Sequence, residues 1–310
     1  MAEERIFSNL MRELKAGKFV FTGELEPGKE GSIETTIEAA RKLLGQVTAC
    51  NVTDNPQSFG CVNSLAAAFV VQKETGMECI CQLRCSDKNR LALLSDVLAA
   101  GLLGIKNILA ITGDYVSLGD TPDVKPVYDL DSTLLTRMIR MIVDEGKDFR
   151  GNEIRNPPKL HVGVAANPGS EFLDMEVYKL KRKVKAGAEF VQTQVVFLPE
   201  VVDRFFAKVK EVGGIDIPIL IGIFPAKSYA EAKFFHEQVS GVIVPEDYMA
   251  KLKETKEIKD KEKRKERIDQ INIEYFTGFL EHLKSTPAAG CHIMAVGYPE
   301  IIPELRKVVA

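Results

Sequence analysis

The sequence predicts an α/β protein built as a (β/α)8 TIM barrel. Three observations lead there. Eight short β-branched, apolar runs alternate with amphipathic helical stretches. Several runs are apolar on both faces, as expected of parallel strands covered from both sides. The 310 residues suffice for one barrel of ~250 residues with additions, read as a single domain over 1–310. A doubly wound open sheet is the alternative.

Strands are expected at 19–24, 47–53, 78–84, 105–111, 160–165, 189–197, 217–223 and 291–296. Helices are expected near 33–45, 64–75, 87–103, 132–147, 174–186, 199–212 and 228–238. Ser228-Tyr229-Ala230-Glu231 has the spacing of a capping box and starts the last of these. Two segments lie outside the repeat. Residues 4–16 form an amphipathic helix before the first strand, a plug or lid for the barrel. Residues 245–285 insert a helical stretch before the last strand. Its mixed charges from Lys251 to Asp269 read as a solvated face with ion pairs rather than an RNA- or partner-binding patch.

Composition narrows the function classes. The chain is 45% hydrophobic and 27% charged, an ordinary globular mix. A formal net charge of −3 argues against a protein built to hold nucleic acid or an anionic membrane. No apolar run approaches ~18 residues, so no membrane insertion is expected. The N-terminus does not read as a secretory signal. Six cysteines are too sparse for a disulfide scaffold, and a reducing, cytoplasmic setting is the default.

In a barrel, chemistry sits at the C-terminal ends of the strands. Those ends are polar here: Glu24 on the first strand, Thr53-Asp54-Asn55 on the second, Gln82 to Asp87 on the third, Thr112-Gly113-Asp114 on the fourth, Asn167 on the fifth and Gln192-Thr193-Gln194 on the sixth. An apolar strand that delivers a carboxylate to its end needs a reason, because a buried charge is costly. Glu24 and Asp114 are therefore candidates for acid–base work, or else structural carboxylates that cap a nearby helix. Gly113 would let backbone approach a ligand closely, and the long loop from Tyr115 to Asp131 points the same way. Cys79, Cys81 and Cys85 read as buried thiols, with Cys85 nearer to solvent. The four histidines show no zinc-ligand spacing, and no metal site is expected. Neither a P-loop nor a Rossmann fingerprint is present.

Taken in order, these strand ends resemble the 5,10-methylenetetrahydrofolate reductase family in its short form, without a regulatory domain. Gly23-Glu24-Leu25-Glu26-Pro27 resembles its first-strand Glu motif. Asn51-Val52-Thr53 is similar to its second strand end, and Leu109 to Asp114 to its fourth. Leu180 to Ala188 follows its Lys-Arg-Lys-Val helix motif closely. Thr193 to Phe197, Gly222 to Pro225 and Cys291 to Met294 resemble its last three strand ends.

The resemblance implies a flavin enzyme of one-carbon metabolism that reduces 5,10-methylenetetrahydrofolate to 5-methyltetrahydrofolate. It implies FAD as cofactor, with FMN the alternative. Hydride would come from flavin N5, since no side chain donates hydride. Glu24 would be the general acid toward the folate, and Asp114 would hydrogen-bond the pterin and tune the flavin. Thr53, Gln82, Thr112, Gly113, Asp114, Asp129, Asn167, Glu176 and Lys183 would hold the flavin. Gln194, Tyr229 and Met294 would hold the substrate, with Met294 also against the isoalloxazine. Electrons would come from NAD(P)H or from an electron-donating partner protein, in an oligomeric assembly. The chain departs from the family at several points. Thr112 stands where an Arg precedes Gly-Asp, Gln82 where a His is usual, and Asn167 where a Tyr precedes Pro. Ala295-Val296-Gly297-Tyr298, after the last strand, lacks the Arg that some members present to NADH. The competing readings are a pterin-binding barrel methyltransferase and a non-catalytic subunit of a methyl-transfer complex.

Overall fold

A computed structural model describes residues 5–307. Eight parallel strands close into a barrel in sequence order: β1 (Val20–Leu25), β2 (Ala49–Val52), β3 (Cys79–Arg84), β4 (Asn107–Ile111), β5 (His161–Ala166), β6 (Phe190–Val195), β7 (Ile219–Ile223) and β8 (Gly290–Ile293). Each lies within two residues of its expected start. The last strand stops at Ile293, three residues short of the expected end, where 294–296 turn into the mouth.

Helix α1 (Asn9–Lys15) precedes the barrel; residue 4 of the expected span lies outside the described residues. Its Leu10, Met11 and Leu14 pack with Val20, Ala49, Ile80, Leu109, Phe190 and Leu220. Those are inward residues at the starts of the strands. The helix is therefore a plug in the N-terminal end, and it does not cover the mouth as a lid. A Cβ on Gly163 would strike the Phe190 ring, so β5 gives up a side chain to seat that ring.

The outer layer is α2 (Glu34–Leu43), α3 (Ser64–Thr75), α4 (Arg90–Leu102), α5 (Ser132–Arg140), α6 (Leu173–Lys185), α7 (Pro199–Val212), α8 (Tyr229–Gln238), α9 (Glu246–Glu254), α10 (Lys261–Lys284) and α11 (Ile301–Lys307). A π-helical turn, Met141–Glu145, extends α5. Ser228 Oγ caps α8 by accepting from the Glu231 N–H at 3.2 Å. Glu231 returns the bond to Lys227 N–H, one residue before the cap. The insertion before β8 is two helices, not one. Its polar face makes ion pairs such as Lys265–Glu300 at 3.1 Å. Its other face buries Ile271, Phe276, Leu280 and Leu283 against the barrel. Among the described residues, no helix is long and apolar enough to cross a membrane.

Candidate active site

Side chains alternate along a strand, so Val20, Thr22 and Glu24 share the inward face of β1. Above the apolar plug layer comes a buried polar layer: Thr22, Asn51, Gln192 and His292. Asn51 and Gln192 pair reciprocally at 2.8 and 3.0 Å. Gln192 also donates to Thr22 Oγ1 at 3.0 Å, and Thr22 meets His292 Nδ1 at 3.0 Å. Glu24 sits on top of this layer. Its Oε2 takes Gln82 Nε2 and His292 Nε2, each at 3.4 Å. The carboxylate thus ends a polar column that crosses the barrel.

A cleft of about 190 Å3 opens beside Glu24 and Glu26, walled by Thr35, Thr36, Val296 and Pro299. Burial and the neighbouring Glu24 push the Glu26 carboxyl up, against the pull of Lys227. Two larger clefts, of about 480 and 450 Å3, lie at the N-terminal end among Arg5, Phe7 and Pro158, and among Glu13, Lys18 and Arg306. Size does not mark the site; the convergence of strand ends does.

Of the expected flavin residues, Asn167, Glu176 and Lys183 meet where α6 packs on β5, and Thr53 stands just past the end of β2. Thr53 Oγ1 is buried and has no hydrogen-bond partner. Lys183 is 8% exposed, and its Nζ donates to Ala165 O at 2.7 Å. Burial pulls its ammonium pKa down, while Glu176 opposes the fall. Glu176 Oε1 accepts from Asn167 N–H at 3.0 Å. Asn167 Nδ2 reaches Ser240 O at 3.0 Å and ties the β5 end to the loop after α8. Gln194 is aimed by a register shift of β6 against β7 between Gln192 and Val195. Its Oε1 accepts from Val195 N–H. The Met294 methyl lies over Gly222, where a Cβ would not fit.

Other expected residues have partners within the chain. Thr112 Oγ1 accepts from Ser132 N–H at 3.2 Å and helps start α5. Gly113 has φ +94°, and a Cβ there would meet Ser86 Oγ and Arg84 Nε. The groups that come close are this chain's own Ser86 hydroxyl and, behind it, the Arg84 guanidinium. Asp114 is exposed, and its Oδ2 accepts from Gln57 N–H at 2.9 Å. Asp129 forms a two-pronged pair with Arg90, which lowers its pKa to about 2. Tyr229 lies under the Lys256 ammonium, 4.6 Å from the ring centre. Cys85 is fully buried rather than near solvent, and burial pushes its thiol up to about 12.

Residue patterns left Arg84 and the column beneath Glu24 without a role. Arg84 is buried and donates to Asn55 O, Ser58 Oγ and Ser86 Oγ. It gathers a loop in which Asn55, Gln57 and Ser58 all have positive φ. The available signal was a polar residue at every second position of an apolar strand: Thr22 before Glu24, Gln192 before Gln194, and Gln82 before Arg84.

The profile of the family described as "Methylenetetrahydrofolate reductase" matches residues 9–309. A Caenorhabditis elegans protein, "Probable methylenetetrahydrofolate reductase (NADPH)", is 28% identical over 171 residues, which are 55% of this chain and 24% of that one. A Schizosaccharomyces pombe relative, "Methylenetetrahydrofolate reductase 1", is 28% identical over 211 residues, 66% of this chain and 32% of its own length. The Salmonella typhimurium "5,10-methylenetetrahydrofolate reductase" is 25% identical over 219 residues, 71% of this chain and 66% of its own. The chain thus spans only a quarter to a third of the first two relatives. A solved Clostridium thermocellum structure, titled as binding two copies of 5-methyl-5,6,7,8-tetrahydrofolic acid, shares the fold with TM-score 0.65 and 13% identity, over 96% of this chain and 98% of that one. With its strand-end motifs in order on a closed barrel and a profile match across nearly all of its length, the chain belongs to the methylenetetrahydrofolate reductase family.

Proposed function

We propose that the chain reduces 5,10-methylenetetrahydrofolate to 5-methyltetrahydrofolate with a bound flavin. The observation that carries the reading is Glu24. It is a carboxylate at the barrel mouth, 14% exposed, beside an open cleft and anchored through one oxygen. The flavin reading rests on two buried polar groups with hydrogen-bonding capacity to spare. The Thr53 hydroxyl is buried and unpaired, and the Lys183 ammonium is buried with a lone carbonyl acceptor. Both suit a polar, anionic group over β2 and β5. FAD is the cofactor we assign, and FMN would meet the same two residues.

When bound, a reduced flavin supplies hydride at N5. The chain's own residues do the rest. Gln194 holds the pterin through an amide that donates and accepts. Asp114 can pair with the pterin through Oδ1, since Gln57 occupies Oδ2. Tyr229 and Met294 flank the folate. Glu24 gives a proton to folate N10, which breaks the bond from N10 to the methylene carbon. The methylene then accepts hydride and becomes the methyl group, so one proton and one hydride are taken up. Electrons enter from NAD(P)H or from a partner protein. Exposed Leu91, Leu98 and Leu102, spaced along α4, support association with a further subunit. Six free thiols suit a reducing cytoplasm.

Glu24→Gln tests the reading. The amide is nearly isosteric, so fold and flavin content should persist. Folate reduction should fall ~10²–10⁴-fold, about 3–5 kcal/mol of barrier. Flavin reduction by an artificial donor should keep its rate, since no N10 proton is involved. A colourless protein that takes up neither FAD nor FMN, or unchanged folate reduction in the variant, sinks the reading.

A further inference from the structure

We propose that His292 and Thr22 are positioning residues for proton delivery: they hold Glu24 by Oε2 and leave the transferable proton on Oε1. The inference rests on the reading of Glu24 as the acid. It starts from the direction of the buried hydrogen bonds. The Gln192 amide NH2 points at Thr22 Oγ1, because its carbonyl is taken by Asn51 Nδ2. Thr22 Oγ1 accepts from Gln192 and still has its own proton to give, and the Glu24 oxygen facing His292 Nε2 calls for a donor there; together these assign the Thr22 proton to His292 Nδ1. A ring that accepts at Nδ1 carries its proton on Nε2. That N–H faces Glu24 Oε2 at 3.4 Å.

Gln82 Nε2 donates to the same oxygen at 3.4 Å. Two donors on Oε2 make it the acceptor oxygen of the carboxyl. Among the described residues Oε1 takes no hydrogen bond, so it is the site left for the acidic proton. Thr22, Asn51, Gln192 and His292 are all buried, and none reaches the cleft that holds Glu24 and Glu26. Four polar side chains inside a barrel are costly unless each is paired, and here each is. The column fixes the carboxyl plane before substrate arrives, which is where orientation aids a proton transfer.

The test begins with the wild-type protein labelled with 15N-histidine. Nitrogen chemical shifts and couplings tell a protonated ring nitrogen from a bare one, and His292→Gln identifies the signal. The expected result is a proton on Nε2 and a bare Nδ1. A proton on Nδ1 alone overturns the proposal. The second arm is Thr22→Val, which keeps the shape and removes the hydroxyl. With an artificial reductant, kcat for folate reduction should fall about 10- to 100-fold while KM holds. Thr22→Ser should restore most of kcat. A kcat in Thr22→Val within about twofold of wild type, or a parallel rise in KM, overturns the positioning role. If Thr22→Val does not fold, the wild-type tautomer and Thr22→Ser decide. Glu24→Gln separates the two ideas: full activity there overturns the acid assignment itself, while the tautomer is read without any turnover.

Discussion

Lys183 holds a charge where the surroundings disfavour one. It sits on the inner face of α6 with one carbonyl acceptor for its three N–H groups. Burial lowers its pKa below the ordinary 10.5, and Glu176 only partly offsets this. The native state therefore binds fewer protons than the unfolded chain between the lowered pKa and 10.5. Stability of the flavin-free protein should rise with pH across that window. Below it, the desolvation cost stands in full. Lys183→Met removes the cost, so the flavin-free variant should melt a few degrees higher. It also removes the cation proposed to face the flavin phosphate, so flavin should dissociate more readily. Calorimetry and flavin fluorescence read the two effects. A variant that melts lower yet keeps its flavin as tightly as wild type would make Lys183 a plain structural residue.

At the scale of elements, α1 depends on the barrel it plugs. Seven residues cannot hold a helix in water by themselves. The barrel supplies both a floor and a cap. Glu78, just before β3, accepts from Asn9 N–H at 2.7 Å and Leu10 N–H at 2.9 Å. Ser8 Oγ takes Met11 N–H at 3.2 Å. The first-turn donors are thus satisfied by one carboxylate and one hydroxyl, and the negative charge faces the positive end of the helix. Glu78 also accepts from Asn107 Nδ2. Glu78→Ala leaves these donors without partners and should cost about 1–3 kcal/mol. Urea unfolding should show the loss, with flavin content unchanged because the plug lies at the far end from the mouth. An unaltered midpoint would mean that the packing of Leu10, Met11 and Leu14 suffices.

The whole molecule is drawn together at the N-terminal rim by Glu189. Its Oε1 meets His161 Nδ1 at 2.9 Å. Its Oε2 takes Arg140 Nη1 at 2.8 Å and Val162 N–H at 2.9 Å. His161 Nε2 accepts from Phe7 N–H at 2.9 Å, which places the ring proton on Nδ1, toward Glu189. One carboxylate thus joins α5, β5, β6 and the segment before α1. Burial raises its pKa, but His161, Arg140 and the Val162 N–H outweigh burial, and the net shift is downward from 4.5. With the native pKa depressed, the stabilisation is complete above 4.5 and is lost as pH falls through the native value. Glu189→Gln should flatten that part of the acid-unfolding curve and lower the melting temperature at neutral pH. An acid limb that superimposes on wild type would exclude the linkage.

By itself the sequence determined the strands, their order and the end of the barrel where chemistry belongs. Those features are local. A run such as that around β7 is apolar on both faces, and a strand end that turns polar announces itself within a few residues. Family membership was legible for the same reason, since its motifs lie on consecutive strand ends. The tertiary structure decided which polar groups meet. Glu24 finds His292 across 268 residues and Gln82 across 58. No period or spacing encodes such pairs, because they exist only once the strands curl into a closed barrel. Distance in the chain likewise hid the neighbours of Gly113, whose open side meets Ser86 and Arg84, and of Thr112, whose hydroxyl accepts from the first N–H of α5. A strand dictates which face a side chain takes; only closure of the sheet dictates what stands opposite.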